Sequence, residues 1–154
     1  MVDARAMNRQ MVERLLAAPA EEPAEDAYAL RVVETRGRTS GEPRRTPLAV
    51  VRHGGRDHLV TPDPSRDWAQ NLLAHPEATL RSADGDVPVR AERIGADEGA
   101  PVVQAYLAAM TVPWALKAFP VSPDDPLDTV RAHMDGIAVW WLRPVSTNPC
   151  QDAD

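Results

Sequence analysis

The densest chemistry in the sequence lies in one segment, Gly37-Arg-Thr-Ser-Gly-Glu-Pro-Arg-Arg-Thr-Pro-Leu48. Arg38, Arg44 and Arg45 offer planar guanidinium forks that match phosphate or carboxylate oxygens in pairs. Ser40 and Thr46 add hydroxyls. The two glycines permit positive φ and close backbone approach, so turn amides can point at the same anion. Such chemistry is anion recognition without a P-loop, since neither GxxxxGK[ST] nor GxGxxG occurs in the chain. The alternative is a solvated hairpin turn whose arginines serve solubility. Charge distribution bears on the choice. The net charge is −6, yet residues 31–56 carry seven arginines against two glutamates, a net +5 that leaves −11 for the remainder. An acidic protein with one basic segment suits a single anion better than a nucleic acid.

Other chemistry-bearing residues are scattered. His53, His58, His75 and His133 lack metal-ligand spacing, so no metal site is expected. Tyr106 and Lys117 are the only phenol and ammonium in the second half, and each is a candidate proton donor. Asp124-Asp125 reads as a helix cap and its neighbour. Trp140 and Trp141 fall on one strand and so point to opposite faces. No triad or carboxylate pair is present, so the catalytic residues remain unassigned.

The elements that must position these groups follow from hydrophobic period and turn chemistry. Residues 1–19 read as an amphipathic helix through Met7, Met11, Leu15 and Leu16, and 18–26 as an acidic, proline-bearing linker. Segments 29–35, 46–53 and 56–61 read as an antiparallel meander, with Gly54-Gly55 as the tight turn between the last two. A helix opening near Pro64 carries Trp68, Leu72 and Leu73 and ends at His75-Pro76. A hairpin is expected at 77–83 and 87–94 around Asp84-Gly85-Asp86, then a helix over 97–110 opened by Asp97. Prolines at 113 and 120 predict a constrained connection rather than a continuous helix between them. A helix over 126–135 and an apolar strand over 137–142 complete the chain, with a frayed tail from Ser146. About six short strands without βαβ alternation predict an α+β fold: an antiparallel barrel flanked by helices.

With 154 residues, 44% hydrophobic and 26% charged, the chain suits one globular domain. No apolar run approaches the roughly 18 residues of a membrane span, and the charged N-terminus lacks a signal-peptide core. Cys150 stands alone in a polar tail, which agrees with a cytoplasmic setting.

The segment GRTSGEPRRTPL resembles the GRxSGxPRRTPL signature of deazaflavin-dependent nitroreductases, also called F420-dependent quinone reductases. Trp68-Ala-Gln-Asn71-Leu72 followed by HPEATL is similar to a second motif of that family, and PVVQAYLAAM…DGIAVWWLRP to its closing helix, proline-rich stretch and strand. The resemblance runs from about Leu30 to Pro144 and implies a split antiparallel β-barrel related to flavin-reductase folds. Together with the elements read above, this divides the chain into an N-terminal helix and acidic linker over 1–26, a cofactor-binding barrel over 27–145 and a flexible tail over 146–154. It also implies an oxidoreductase that moves hydride from reduced F420 to an enone, quinone or nitro compound. Arg38, Thr39, Ser40, Arg44 and Arg45 would meet the phosphate and polyglutamate tail, and Thr46 and Pro47 the ring system, with Thr61 to Ser65 along its edge. Trp68 and Asn71 would wall the site, the alternatives being core packing for Trp68 and a local hydrogen bond for Asn71. Trp114, Phe119 and one of Trp140 or Trp141 would line a pocket for a hydrophobic substrate. Of these, Trp114 is the one expected to face the pocket, and Phe119 is expected in the core.

Two departures from the family pattern stand out. Thr39 replaces a lysine common after the first arginine, and the segment 61–67 is shorter than the usual glycine-rich loop. They motivate two alternatives: a barrel that has lost redox function and binds or transforms a hydrophobic molecule, or the same fold using FMN. A homodimer is compatible with either.

Overall fold

The computed structural model describes residues 4–145, with side chains from residue 6 onward; Cys150 and the predicted 146–154 tail lie outside the described residues. Six strands form one closed antiparallel barrel: β1 (Tyr28–Arg36), β2 (Pro43–His53), β3 (Arg56–Thr61), β4 (Glu77–Ser82), β5 (Gly85–Ile94) and β6 (Ala138–Pro144). The order around the barrel is β1-β2-β3-β6-β5-β4, so the three-strand meander is closed by the β4–β5 hairpin and the last strand. β1 pairs along its whole length with β2, from Tyr28↔Val51 to Arg36↔Pro43, and across its middle with β4. Closure leaves no free edge on β6, whose run of AVWWL would otherwise offer a flat apolar template.

Alternation along the strands builds two cores. Val33, Val50, Leu59, Ala138, Trp140 and Leu142 fill the barrel interior, and helix α2 (Asp67–Ala74) adds Trp68, Ala69 and Leu72. The neighbouring Val51, Val60 and Val139 face outward, against α3 (Ala96–Ala109) and the segment that ends in Val130 and Met134. Trp68 and Trp140 meet with ring centroids 5.4 Å apart and planes inclined at 60°, a tilted aromatic contact. Helix α1 (Ala4–Leu16) packs on β1, β2 and β4, and Val12 is its one buried side chain among those described.

Most expected elements are present, with shifts that have local causes. The second strand begins three residues early, at Pro43, because Arg44 and Arg45 continue the ladder opposite Thr35 and Glu34. The helix expected from Pro64 starts at Asp67, since Ser65 is first drawn into a turn by its backbone and hydroxyl hydrogen bonds to the Asp63 carboxylate. The Gly54-Gly55 turn has φ of +62° and +74°, the left-handed pair that a two-residue hairpin demands. The prolines at 113 and 120 do break the helical run, but Pro113 also opens a five-residue helix, α4 (Pro113–Lys117). Helix α5 is shorter than expected, Leu127–Ala132, followed by one 3-10 turn.

The segment read as a linker is tied down instead. Arg52 forms ion pairs with Glu22 at 2.9 Å and Asp57 at 2.8 Å, and both carboxylates hold its guanidinium above its ordinary value. Glu25 accepts hydrogen bonds from the backbone N–H of Gly54 and Gly55, and Asp26 meets His53 Nδ1 at 2.7 Å. Among the described residues no helix is long and apolar enough to cross a membrane.

His58 is buried on the outer face between Val51 and Trp141, with Nδ1 lacking a hydrogen-bond partner among the described residues. Burial is the main cause that lowers its pKa below the usual imidazole value near 6.5, with His53 adding to it. The unfolded chain therefore takes up a proton that the folded chain refuses, and stability falls as pH drops through about 6.5 toward the lower folded value. Urea melts at about pH 7 and pH 5 should show a larger loss for the wild type than for His58→Gln. Trp140→Ala should cost about 3–5 kcal/mol in the same melts, the range for a large core aromatic. Trp114→Ala should stay within about 0.5 kcal/mol of wild type, as surface substitutions do.

Candidate functional site

A groove of about 890 Å³ opens between three elements that are remote in sequence: α1, the β1–β2 turn, and the start of α2. The turn contributes Gly37 to Ser40 and Pro43 to Thr46, α2 contributes Asp67, Trp68 and Asn71, and α1 contributes Asn8, Arg9, Val12, Glu13 and Leu16.

The turn is narrow because its backbone closes on itself. Gly37 N–H donates to Glu42 O at 2.8 Å, and Gly41 N–H to Gly37 O at 2.9 Å. Gly41 has φ of +73°. A Cβ on Gly37 would meet Ser40 Oγ at 2.7 Å and the Glu42 carbonyl at 3.2 Å, so a side chain there would make the serine rotate and press the turn backbone. The cost of a side chain at Gly37 is steric, whereas at Gly41 it is conformational.

Asn71 fastens this turn to the plug helix. Its side chain is 3% exposed, and its Oδ1 accepts from the Arg38 backbone N–H at 3.1 Å and from the Arg38 guanidinium at 3.0 Å. Its Nδ2 donates to Thr35 Oγ1 at 3.4 Å. The other end of the Arg38 fork donates to Asp67 Oδ1 at 3.1 Å. A buried amide with three partners is a local hydrogen-bonding device and a wall of the groove at once. Trp68 is also both: it belongs to the barrel core and its edge lines the groove.

Strand period sorts the seven arginines of the basic segment. Arg45 points to the outer face of the barrel and pairs with Glu34 at 3.0 Å, which Arg81 also approaches at 3.2 Å. Arg44, one residue earlier, points the other way; its nearest carboxylate, Glu42, is 3.9 Å off, and it is more than half exposed. Arg31 shares the interior face with Val33, is 6% exposed, and its Nε has no hydrogen-bond partner among the described residues. Arg52 is committed to Glu22 and Asp57, and Arg56 lies 4.1 Å over the Trp141 ring. Only part of the +5 charge thus faces the groove.

The sequence-predicted residues divide accordingly. Arg38, Thr39, Ser40, Arg44, Arg45, Thr46, Trp68 and Asn71 line one groove. Pro47 stands on β2 opposite Val32 and is not part of that lining. Thr61 is fully buried at the end of β3, its hydroxyl donating to Asp63 O, and Ser65 is bound to the Asp63 carboxylate, which these bonds hold below the usual carboxylate range. The four pocket candidates do not share a cavity. Trp114 is 76% exposed on α4, Phe119 packs against Tyr106 at 5.4 Å, Trp140 is inside the barrel, and Trp141 is half-buried outside it. Tyr106 is buried between Tyr28 and Phe119, which pushes its phenol above the usual value, and Lys117 is exposed on α4. Sequence reasoning missed the α1 wall and Asp67, because nothing in an exposed helix face announces which remote turn it will meet.

Asn71→Ala would leave the Arg38 N–H and the buried Thr35 hydroxyl without their partner. Chemical denaturation should show a loss of about 1–3 kcal/mol, the cost of a buried group left unsatisfied.

A family model described as F420H(2)-dependent quinone reductase matches residues 8–118. No curated protein sequence matches the chain. Among solved structures, a heme binding protein from Mycobacterium smegmatis aligns at 20% identity and TM-score 0.52, covering 94% of this chain and 53% of that one. The chain thus spans about half the length of that protein. A proposed 5-nitroimidazole antibiotic resistance protein from Bacteroides thetaiotaomicron aligns at 11% identity and TM-score 0.53, covering 90% and 81%. The protein Atu2129 from Agrobacterium tumefaciens aligns at 15% and 0.52, covering 97% and 62%. At these identities the three structures show a shared fold and nothing more. The family match is of another kind: it extends from α1 through the arginine turn and α2 to α4, taking in every element that builds the groove, and the chain belongs to the F420H(2)-dependent quinone reductase family.

Proposed function

We propose that the chain is an F420-dependent reductase that holds the anionic tail of the cofactor in the groove between α1, the β1–β2 turn and α2, and reduces an electrophilic small molecule such as an enone, quinone or nitro compound. The observation that carries this reading is the groove itself, built from the turn that bears the family signature and containing a guanidinium, Arg44, held only by a long, exposed 3.9 Å contact to Glu42. The donor set fits phosphate and carboxylate: Arg44, the Thr39 and Ser40 hydroxyls, and a tight turn whose glycines at 37 and 41 carry no side chain to keep a ligand off the backbone. When bound, the reduced deazaflavin supplies the hydride.

The chain's own residues then have distinct tasks. Arg44 binds the tail by charge-assisted hydrogen bonds. Arg38 is already spread between Asp67 and Asn71, so its first task is to fix the turn on α2, and it reaches an anion only by exchanging Asp67. Arg45 is engaged by Glu34 and contributes field rather than a fork. Trp68 gives the groove a rigid apolar side, because its ring is clamped against Trp140 in the core.

Titration of the protein with F420, followed by deazaflavin fluorescence, should show saturable binding whose apparent Kd rises between low salt and about 0.5 M, as screening of a charged contact requires. Arg44→Ala should weaken binding by about 1.5–3 kcal/mol, the range for a hydrogen bond to a charged group, and Arg45→Ala by less. Failure to bind F420 at high micromolar concentration, with FMN bound instead, would replace this reading by the flavin one. Failure to bind either would favour a barrel without redox function.

A further inference from the structure

We propose that Arg9, on the N-terminal helix, is a second ligand for the anionic tail, in the same groove as Arg44. The inference deepens the proposed function and rests on it. Arg9 lines the groove together with the turn that carries Arg44, yet it belongs to an element outside the signature segment. It is exposed, and no carboxylate lies within ion-pair distance of it among the described residues, including Glu13, one turn further along the same helix. Its situation contrasts with that of the signature arginines. Arg38 has its fork on Asp67 and Asn71, and Arg45 has its own on Glu34. Of the guanidinium groups lining the groove, Arg9 has no ion-pair partner among the described residues, and Arg44 has only the long 3.9 Å contact to the exposed Glu42. A phosphate bearing a carboxylate tail presents acceptors on more than one side, and two forks on separate elements can bind it where one cannot.

The attachment of α1 supports a role in binding rather than in the core. Val12 is its one buried side chain among those described, Met7 is 54% exposed, and Arg9 itself contributes no packing that the barrel needs. An anion held between Arg9 and Arg44 would add a bridge between α1 and the barrel, so binding should also order the helix.

The test compares three single variants, Arg9→Ala, Arg9→Lys and Arg14→Ala, after far-UV circular dichroism and thermal melts have shown each to be folded. Arg14→Ala removes the same charge from the same helix at a position outside the groove lining, and so reports the bulk electrostatic effect. Arg9→Ala should raise the Kd for F420 about three- to tenfold, a charged hydrogen bond discounted for exposure. Arg9→Lys should recover part of the loss, and Arg14→Ala should change the Kd by less than about twofold, as expected of a solvent-screened charge. The same proteins titrated with the deazaflavin riboside, which lacks phosphate and glutamates, should show no difference between Arg9→Ala and wild type. Amide hydrogen exchange in α1 should slow when F420 is bound to the wild type and less so in Arg9→Ala. If the wild type binds F420 and Arg9→Ala binds it equally well, or loses no more than Arg14→Ala, the assignment of Arg9 is overturned while the proposed function stands. An equal loss with the tail-less riboside would also overturn it. No F420 binding by the wild type overturns both.

Discussion

The contact of Trp68 with Trp140 ties the groove to the core, and most of what the site can do depends on it. Trp140 sits inside a six-strand barrel too small to be anything but filled with side chains. Trp68 reaches it from α2, with Leu72 buried beside it, so α2 is clamped as a plug. Asn71, on the same short helix, then holds the β1–β2 turn through Arg38. A chain of direct contacts therefore runs from the middle of the barrel to the mouth of the groove. The turn is rigid because its support is packed, although the turn itself is exposed.

Electrostatics in this protein are arranged by competition rather than by accumulation. The basic segment looks like one positive patch in the linear sequence, but strand alternation sends neighbouring arginines to opposite faces. Glu34 takes Arg45 and Arg81, Asp67 and Asn71 take Arg38, and Asp57 with Glu22 takes Arg52. These internal partners fix geometry at modest energetic gain, since exposed ion pairs contribute about 0–1 kcal/mol each. What they leave for a ligand is a small number of uncommitted forks on the groove walls. An incoming anion is accordingly sorted by shape and direction, not drawn to a broad basic surface.

The N-terminal region has two characters. Residues 20–27 are stitched to the barrel through Glu22, Glu25 and Asp26, which close the β2–β3 turn and hold Arg52. Before them, α1 rests on the barrel with Val12 buried and Met11, Leu15 and Leu16 half-buried, and forms one wall of the groove. A wall packed in this partial way is the element most open to being held by whatever binds beneath it.

The strands were legible in the residue order, because a period of two with β-branched residues and paired glycines leaves few other solutions. Val50/Val51, Leu59/Val60 and the Gly54-Gly55 turn carry that information locally. The arginine turn and the Trp68–Asn71 helix were legible as well, since their residue types and spacing are the chemistry. Tertiary structure decided what each of them faces. Whether Trp114 lines a pocket or stands in solvent depends on how α4 leaves the barrel, and it stands in solvent. Whether Arg38 is a free fork or a fastening depends on Asn71, which is 33 residues away. Arg9 shares a groove with the turn only because α1 packs across β1 and β2. Contacts of that separation are set by closure of the barrel and packing of its helices, and no local pattern in the chain encodes them.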